Sequence, residues 1–211
     1  MFRPIRTKQL FEEIYAVNAL LSNFYVYDTK ESLIVFDTGI HPFLTRLGMK
    51  KLGLDINRVS KVFLTHSDYD HMGGVHAFAN ADIYLSKAEE CMITKQKRRR
   101  GPMYNRRLSS YHTLEDKETV VVDGVLVQLI STPGHTQGSA CFLVDQRVLV
   151  TGDTISVTRK KQIGAFSVIM NMDHTMNKKS AAELEKSKYM EQSSILLTGH
   201  HGVYQWNEVV L

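Results

Sequence analysis

Short apolar runs separated by polar turns predict alternating strands and helices along this chain. Runs rich in β-branched and aromatic residues are typical of buried strands. Apolar positions three or four residues apart are typical of helices. The predicted strands are a pair within 23–36 and single strands at 61–65, 83–85, 120–122, 125–130, 140–144, 148–150 and 195–197. The predicted helices are 42–52, 71–79, one that starts at Lys87, and 180–191.

Two local signals set the starts of two of these helices. Ser180 and Glu183 have the spacing of a capping box, which predicts that the last helix begins at Ser180. Gly73 and Gly74 are predicted to open the helix at 71–79. Because strands and helices are mixed in both halves, we predict an α/β fold in which two sheets pack together with helices outside.

The composition is that of an ordinary globular protein. The 211 residues are 43% hydrophobic and 23% charged, which excludes disordered, collagen-like and coiled-coil classes. We expect a single domain over 1–211. No apolar run approaches the length of a membrane span, and no apolar stretch follows the basic start as in a signal peptide. Two cysteines, Cys91 and Cys141, do not make a disulfide framework, so we expect reduced thiols in a cytoplasmic protein.

The basic excess of the chain lies in one short stretch. The net charge is +4, from 26 Lys and Arg against 22 Asp and Glu, and residues 95–107 hold seven of the basic residues and no acid. We place this stretch in an insertion at about 86–118. Arg98, Arg99 and Arg100 are candidate contacts for an anion, although a solvated loop or a subunit contact would have the same composition. Tyr104 alone interleaves as an aromatic residue, so a nucleic-acid partner is not expected.

The densest group of metal-capable residues is the segment His66-Ser-Asp-Tyr-Asp-His71, directly after the predicted strand 61–65. His66, Asp68, Asp70 and His71 all lie within it. In an extended chain His66, Asp68 and Asp70 would face one direction. Histidine with carboxylate suits zinc, iron or manganese, so the segment indicates a metal site, although a polar surface cluster is the alternative.

Three more predicted strand ends carry the same residue types. His135 lies in the turn Thr-Pro-Gly-His-Thr, Asp153 in Thr-Gly-Asp-Thr after the strand 148–150, and His200 in Thr-Gly-His-His after the strand 195–197. One histidine after a strand is usually structural. Four loops that all deliver His or Asp from strand ends favour one assembled site on a rigid scaffold.

The order of these motifs, H-x-D-x-D-H, then Gly-His, Gly-Asp and Gly-His, resembles the metallo-β-lactamase superfamily of hydrolases. That group includes hydroxyacylglutathione hydrolases, lactonases and several phosphodiesterases. The resemblance extends from the strand pair at 23–37 to His200 and implies an αββα sandwich with the site at one edge between the sheets. It defines the fold far better than the substrate.

The resemblance also implies two divalent metal ions, with zinc expected first and iron or manganese as alternatives. His66, Asp68 and His135 would hold the first ion, Asp70, His71 and His200 the second, and Asp153 would bridge both. Asp37 matches the acidic residue of the family's Asp-Thr-Gly turn and would support the ligands, although it would also suit a simple turn. His41 is a candidate pocket residue, with a surface turn as the alternative.

One position departs from the common pattern, because many members have histidine where this chain has Asp68. Three aspartates give −3 against +4 from two divalent ions, and a bridging hydroxide brings such a site to neutral. We therefore expect a harder first site and a weaker Lewis acid, with more tolerance of iron or manganese.

The expected function is a binuclear hydrolase in which a bridging hydroxide attacks an ester, thioester or lactone carbonyl. Asp70 would both ligate an ion and orient the nucleophile, and is the candidate catalytic residue. The alternatives are a phosphodiesterase, a metal-binding module without turnover, and a di-iron redox protein. We expect a small-molecule substrate, anionic if the basic stretch contacts it, and no membrane partner. The sequence leaves the oligomeric state open.

Overall fold

The structure, a computed structural model, describes residues 4–158 and 162–205, and these residues form fifteen strands and five α-helices. The strands are β1 (Lys8–Gln9), β2 (Ile14–Asn18), β3 (Asn23–Asp28), β4 (Leu33–Phe36), β5 (Val59–Phe63), β6 (Asp82–Ser86), β7 (His112–Leu114), β8 (Thr119–Val122), β9 (Val125–Ser131), β10 (Ala140–Val144), β11 (Val148–Gly152), β12 (Ile155–Val157), β13 (Ile163–Ala165), β14 (Ile195–Thr198) and β15 (Gly202–Gln205). The helices are α1 (Pro42–Lys51), α2 (Tyr69–Met72), α3 (Glu90–Ile93), α4 (His174–Glu185) and α5 (Lys188–Gln192).

The strands form two large sheets and one small one. The first sheet has seven strands in the order β1-β2-β3-β4-β5-β6-β7, antiparallel up to β4 and parallel from β4 to β7. The second has six strands in the order β15-β14-β11-β10-β9-β8, of which only β11 and β14 are parallel neighbours. Strands β12 and β13 pair separately.

Three apolar clusters define the layers of the fold. The largest lies between the two sheets, where alternate residues of each strand point inward: Phe36 and Phe63 of the first sheet stack at 5.6 Å, and Phe142 of the second sheet packs on both. A second cluster joins the outer face of the first sheet to α1, and a third joins the outer face of the second sheet to α4 and α5. The predicted αββα arrangement is therefore confirmed.

Two predicted helix starts are wrong. The last long helix begins at His174, because the side chain of Asp173 caps it by accepting from the backbone N–H of Met176, and Ser180 lies inside it with its hydroxyl donated to Pro133 O at 2.7 Å. The segment 71–79 is not one helix. The four-residue α2 begins at Tyr69, and Gly73 follows its end rather than opening it.

The predicted insertion contains only short elements. Between β6 and β7 the chain forms a 3₁₀ turn, α3 and a loop that carries the basic stretch. Within the described residues, no helix is both long and apolar enough to span a bilayer.

Candidate active site

Strand ends of both sheets deliver the metal-capable residues to one place. His66 and Asp68 lie in the extended segment after β5, and Asp70 and His71 lie in the first turn of α2. His135 lies in the β9–β10 loop. Asp153 follows β11, where Gly152 has a φ of +49° and a Cβ would overlap the side chain of Thr65. The chain therefore needs glycine here to turn sharply toward the site.

The four histidines all present the same ring nitrogen to the centre of the site. Each donates its Nδ1–H to an oxygen atom, which directs Nε2 toward the centre of the site. The acceptors are Thr65 Oγ1 for His66 at 3.0 Å, Asp37 Oδ2 for His71 at 2.8 Å, Asn171 Oδ1 for His135 at 3.1 Å and Leu21 O for His200 at 2.7 Å.

The side chains meet in two groups that match the two predicted ligand sets. We call them the first triplet (His66, Asp68 and His135) and the second triplet (Asp70, His71 and His200), and within each the ligand atoms all lie within 4.8 Å of one another. In the first triplet, Oδ2 of Asp68 lies 3.1 Å from Nε2 of His135 and 3.8 Å from Nε2 of His66. In the second, Oδ2 of Asp70 lies 3.4 Å from Nε2 of His200.

Asp153 lies between the two triplets. Its Oδ2 is 3.4 Å from Nε2 of His135 and 3.0 Å from Nε2 of His200, and its Oδ1 is 3.5 Å from Nε2 of His71. Two buried atoms here, Asp153 Oδ1 and His66 Nε2, have no hydrogen-bond partner within the described residues. Buried polar atoms without a partner are costly, and both are ligand types, so their positions fit metal ions.

The electrostatics of the site favour positive charge at its centre. Burial opposes protonation of His71, but attraction to Asp153, Asp70 and Asp37 outweighs it and raises its pKa well above the usual value. Burial also opposes the charge on Asp153, but the surrounding histidines lower its pKa. Burial and two neighbouring histidines lower the pKa of His66, which keeps its imidazole neutral and able to bind a metal.

The two candidate supporting residues have different places. Asp37 is buried with a φ of +60°, accepts from the backbone N–H of Thr65 at 2.8 Å, and fixes the ring of His71. Asp37 therefore holds the ring of a candidate ligand in place. His41 is exposed and caps α1, its Nδ1 accepting from the N–H of Phe43 at 3.2 Å. Within the described residues it makes no hydrogen bond to either triplet, so its predicted pocket role is not supported.

A cavity of about 290 Å³ opens onto Asp68 and Asp70. The basic stretch, whose arginines are the candidate anion contacts, forms much of its wall. Arg99 pairs with Asp68, Arg100 donates to Ile169 O, and Arg98 lies away from the site on the hydroxyl of Tyr104. The remaining lining residues include Tyr69, Met103, Tyr104, Asn105, Arg106 and Met170. The cavity thus offers apolar surface with basic groups beside the two triplets.

Glu89 is a supporting residue that sequence reasoning missed. Its buried carboxylate accepts from the N–H and hydroxyl of Ser67, at 2.8 and 2.5 Å, and from the hydroxyl of Thr136 and the N–H of Gly138, at 2.7 and 2.9 Å. Burial raises its pKa, although these donors act against the shift. Glu89 thereby ties the segment of His66 and Asp68 to the loop of His135. A glutamate inside a predicted helix gives no sequence signal for this role.

The comparisons with known proteins agree with this geometry. Residues 17–200 match the family model described as the metallo-beta-lactamase superfamily, and the chain belongs to that superfamily. The fold is shared with BJP-1, a subclass B3 metallo-beta-lactamase of Bradyrhizobium japonicum, at a TM-score of 0.71 and 19% identity, over 93% of this chain and 78% of that one.

Curated relatives are similar over shorter segments. A probable polyketide biosynthesis zinc-dependent hydrolase, BaeB of Bacillus velezensis, is 35% identical over 48% of this chain and 41% of its own length. An atrochrysone carboxyl ACP thioesterase of Passalora fulva is 34% identical over 64% of this chain and 38% of its own length. The matched segments thus span less than half of either relative.

Proposed function

We propose that this protein is a binuclear metal-dependent hydrolase that cleaves an ester or thioester. The observation that carries the proposal is the pair of triplets with Asp153 between them. Its support is the donor chemistry of the site, together with relatives named as a zinc-dependent hydrolase and a thioesterase. Zinc is the proposed ion, since four imidazole nitrogens with carboxylates suit it.

The first triplet would hold one ion, the second triplet the other, and Asp153 would contact both. Divalent ions supply a nucleophile at neutral pH and polarise the substrate carbonyl. Side chains of the protein would supply proton transfer and substrate binding. Asp70, which is 24% exposed on its side chain and lines the cavity, would accept a proton from the attacking water and return it to the leaving group. The mixed apolar and basic wall would position an acyl substrate.

A phosphodiester is the second candidate substrate. The specific observation in its favour is the group of arginines, Arg99, Arg100 and Arg106, along the cavity. Arginine binds phosphate through two parallel hydrogen bonds. All three arginines are already engaged within the protein: Arg99 with Asp68, Arg106 with Tyr69, and Arg100 with the backbone oxygen of Ile169. This engagement places the phosphodiester second.

Metal content of the wild type and of Asp153→Ala tests the proposal. We expect two equivalents of divalent metal per wild-type chain by plasma mass spectrometry, and fewer in the variant. Hydrolysis of short acyl thioesters and aryl esters should fall in Asp153→Ala by about a thousandfold or more, since one removed group weakens both sites. Turnover of an aryl phosphodiester alone would favour the second candidate. No metal uptake, or unchanged turnover in Asp153→Ala, would contradict the proposal.

A further inference from the structure

Arg99 reaches from the insertion onto the carboxylate of Asp68. Its Nε lies 2.6 Å from Oδ1 of Asp68, and its Nη2 lies 2.7 Å from Oδ2 of the same residue. The Nη2 is also 3.2 Å from Nε2 of His135 and donates to Met170 O at 2.7 Å. The Arg99 side chain is only 10% exposed, so little water screens this two-pronged ion pair.

The atoms that Arg99 contacts are ligand atoms of the first triplet. The ring of His135 donates its Nδ1–H to Asn171, so Nε2 carries its only lone pair for a metal. Oδ2 of Asp68 is the oxygen that faces both His66 and His135. The single lone pair of His135 Nε2 cannot accept an N–H bond and bind an ion at the same time, and the guanidinium on Asp68 Oδ2 offsets the negative charge that would attract an ion. Arg99 and a metal therefore compete for these two atoms.

We propose that Arg99 is a built-in competitor for one of the two metal ions, which weakens the first triplet and makes the two sites bind in a fixed order. The inference rests on the proposed function only in taking the two triplets as metal sites. It assigns Arg99 to the metal centre, where the sequence had suggested a contact with a substrate anion.

The charges around the site indicate that the two triplets differ in their affinity for a metal ion. Within the described residues, Arg99 is the one Lys or Arg that forms an ion pair with an aspartate of the site, and it pairs with Asp68 alone. In the part of the chain that the structure describes, the ion pairs of Asp70 and Asp153 are all with histidine. A guanidinium a few ångströms from a divalent ion repels it strongly in a buried site. The second triplet should therefore fill first.

A second contact shows why loss of Arg99 should strengthen the first triplet rather than disorder it. Asn105 donates to Oδ1 of Asp68 at 3.2 Å and to the hydroxyl of Ser67 at 2.7 Å. Glu89 holds Ser67 from the other side. Asp68 thus keeps its position through Asn105 and its neighbouring backbone when Arg99 is removed.

Zinc titration of metal-free protein against a chromophoric chelator tests the inference. We expect two unequal affinities in the wild type, and in Arg99→Met the weaker one should tighten by at least about tenfold, since the competing charge is gone. The tighter affinity should change by less than about threefold, because no hydrogen bond or ion pair among the described residues joins Arg99 to the second triplet. Arg98→Met is the matched control: it removes the same charge from the same stretch, but Arg98 lies on Tyr104.

Two further variants keep the result interpretable. Arg99→Gln removes the charge but keeps a polar side chain, so it should tighten the weaker ion as well if Arg99→Met proves unstable. In a His135→Ala background, which lacks one ligand of the first triplet, Arg99→Met should not raise the zinc affinity by a comparable factor.

Each other outcome overturns the inference in an identifiable way. If the wild type binds two zinc ions with equal affinity and Arg99→Met does the same, Arg99 does not compete with a metal ion. The hydrolase proposal would be unaffected by that result. A weaker first ion in Arg99→Met and Arg99→Gln would mean that Arg99 only positions Asp68. Absence of zinc binding in every variant would contradict the proposed function itself, and with it the inference.

Discussion

At the scale of single residues, the site depends on side chains that orient the candidate ligands as much as on the ligands themselves. Asp37 fixes the ring of His71, and Asn171 fixes the ring of His135. Such partners select the tautomer and direction of a metal-binding histidine. Glu89 acts on the backbone: it holds the segment that carries His66 and Asp68.

Glu89→Gln should destabilise the protein by about 1–2 kcal/mol. The substitution replaces one carboxylate oxygen, which accepts two hydrogen bonds, with an amide NH₂ group, which can only donate. A backbone N–H of Ser67 or Gly138 cannot reverse its role, so at least one buried donor would lose its partner. Urea unfolding measures the change. Glu90→Gln is the matched control, since Glu90 pairs at the surface with Lys87, and it should shift stability by less than about 0.5 kcal/mol. Equal effects of the two substitutions would contradict the assigned role of Glu89.

At the scale of elements, the sequence predicted the strands that build the site more accurately than the helices. An apolar run, at 62–64, 148–150 and 195–197, marks each of the strands before His66, Asp153 and His200, and the strand ends lie within two residues of the predicted bounds. Their fixed direction brings the residues after them together. Contacts between distant segments at the site could not be predicted in this way. The Arg99–Asp68 pair joins residues that are 31 apart in sequence, and no local sequence pattern encodes it.

The missed helix start shows the same limit. Ser180 and Glu183 have the spacing of a capping box, but Asp173 is the residue with extended backbone and a side chain that accepts from the helix. The six residues that follow Asp173 are polar except for Met176, so they lack the apolar periodicity that would predict a helix. Contact between α4 and β13 favours helix here regardless.

Asp173→Ala should lower stability by about 1 kcal/mol through loss of the cap. Asp173→Asn retains a capping oxygen and should stay within about 0.5 kcal/mol of the wild type. Chemical unfolding of both variants gives the comparison. A neutral Asp173→Ala would indicate that the helix begins nearer to Ser180, as the capping box had suggested.

At the scale of the whole molecule, the candidate ligands come from both sheets. His66, Asp68, Asp70 and His71 follow a strand of the first sheet, while His135, Asp153 and His200 follow strands of the second. Apolar packing between the sheets already joins them. Ions held by ligands from both sides would add a second connection at one edge of that core, so metal binding and global stability should be coupled.

Removal of metal should therefore lower the thermal midpoint of the wild-type protein. A ligand at a hundredfold excess over its Kd stabilises the folded state by about 2.7 kcal/mol, which for a chain of this size corresponds to roughly 5–10 °C. Scanning calorimetry before and after chelation, and again after zinc is restored, measures the shift. Asp153→Ala should show a much smaller chelator-dependent change, because Asp153 lies between both triplets. A wild-type midpoint that stays constant while mass spectrometry shows complete metal loss would mean that the ions do not connect the sheets, and that apolar packing alone holds the edge of the core together.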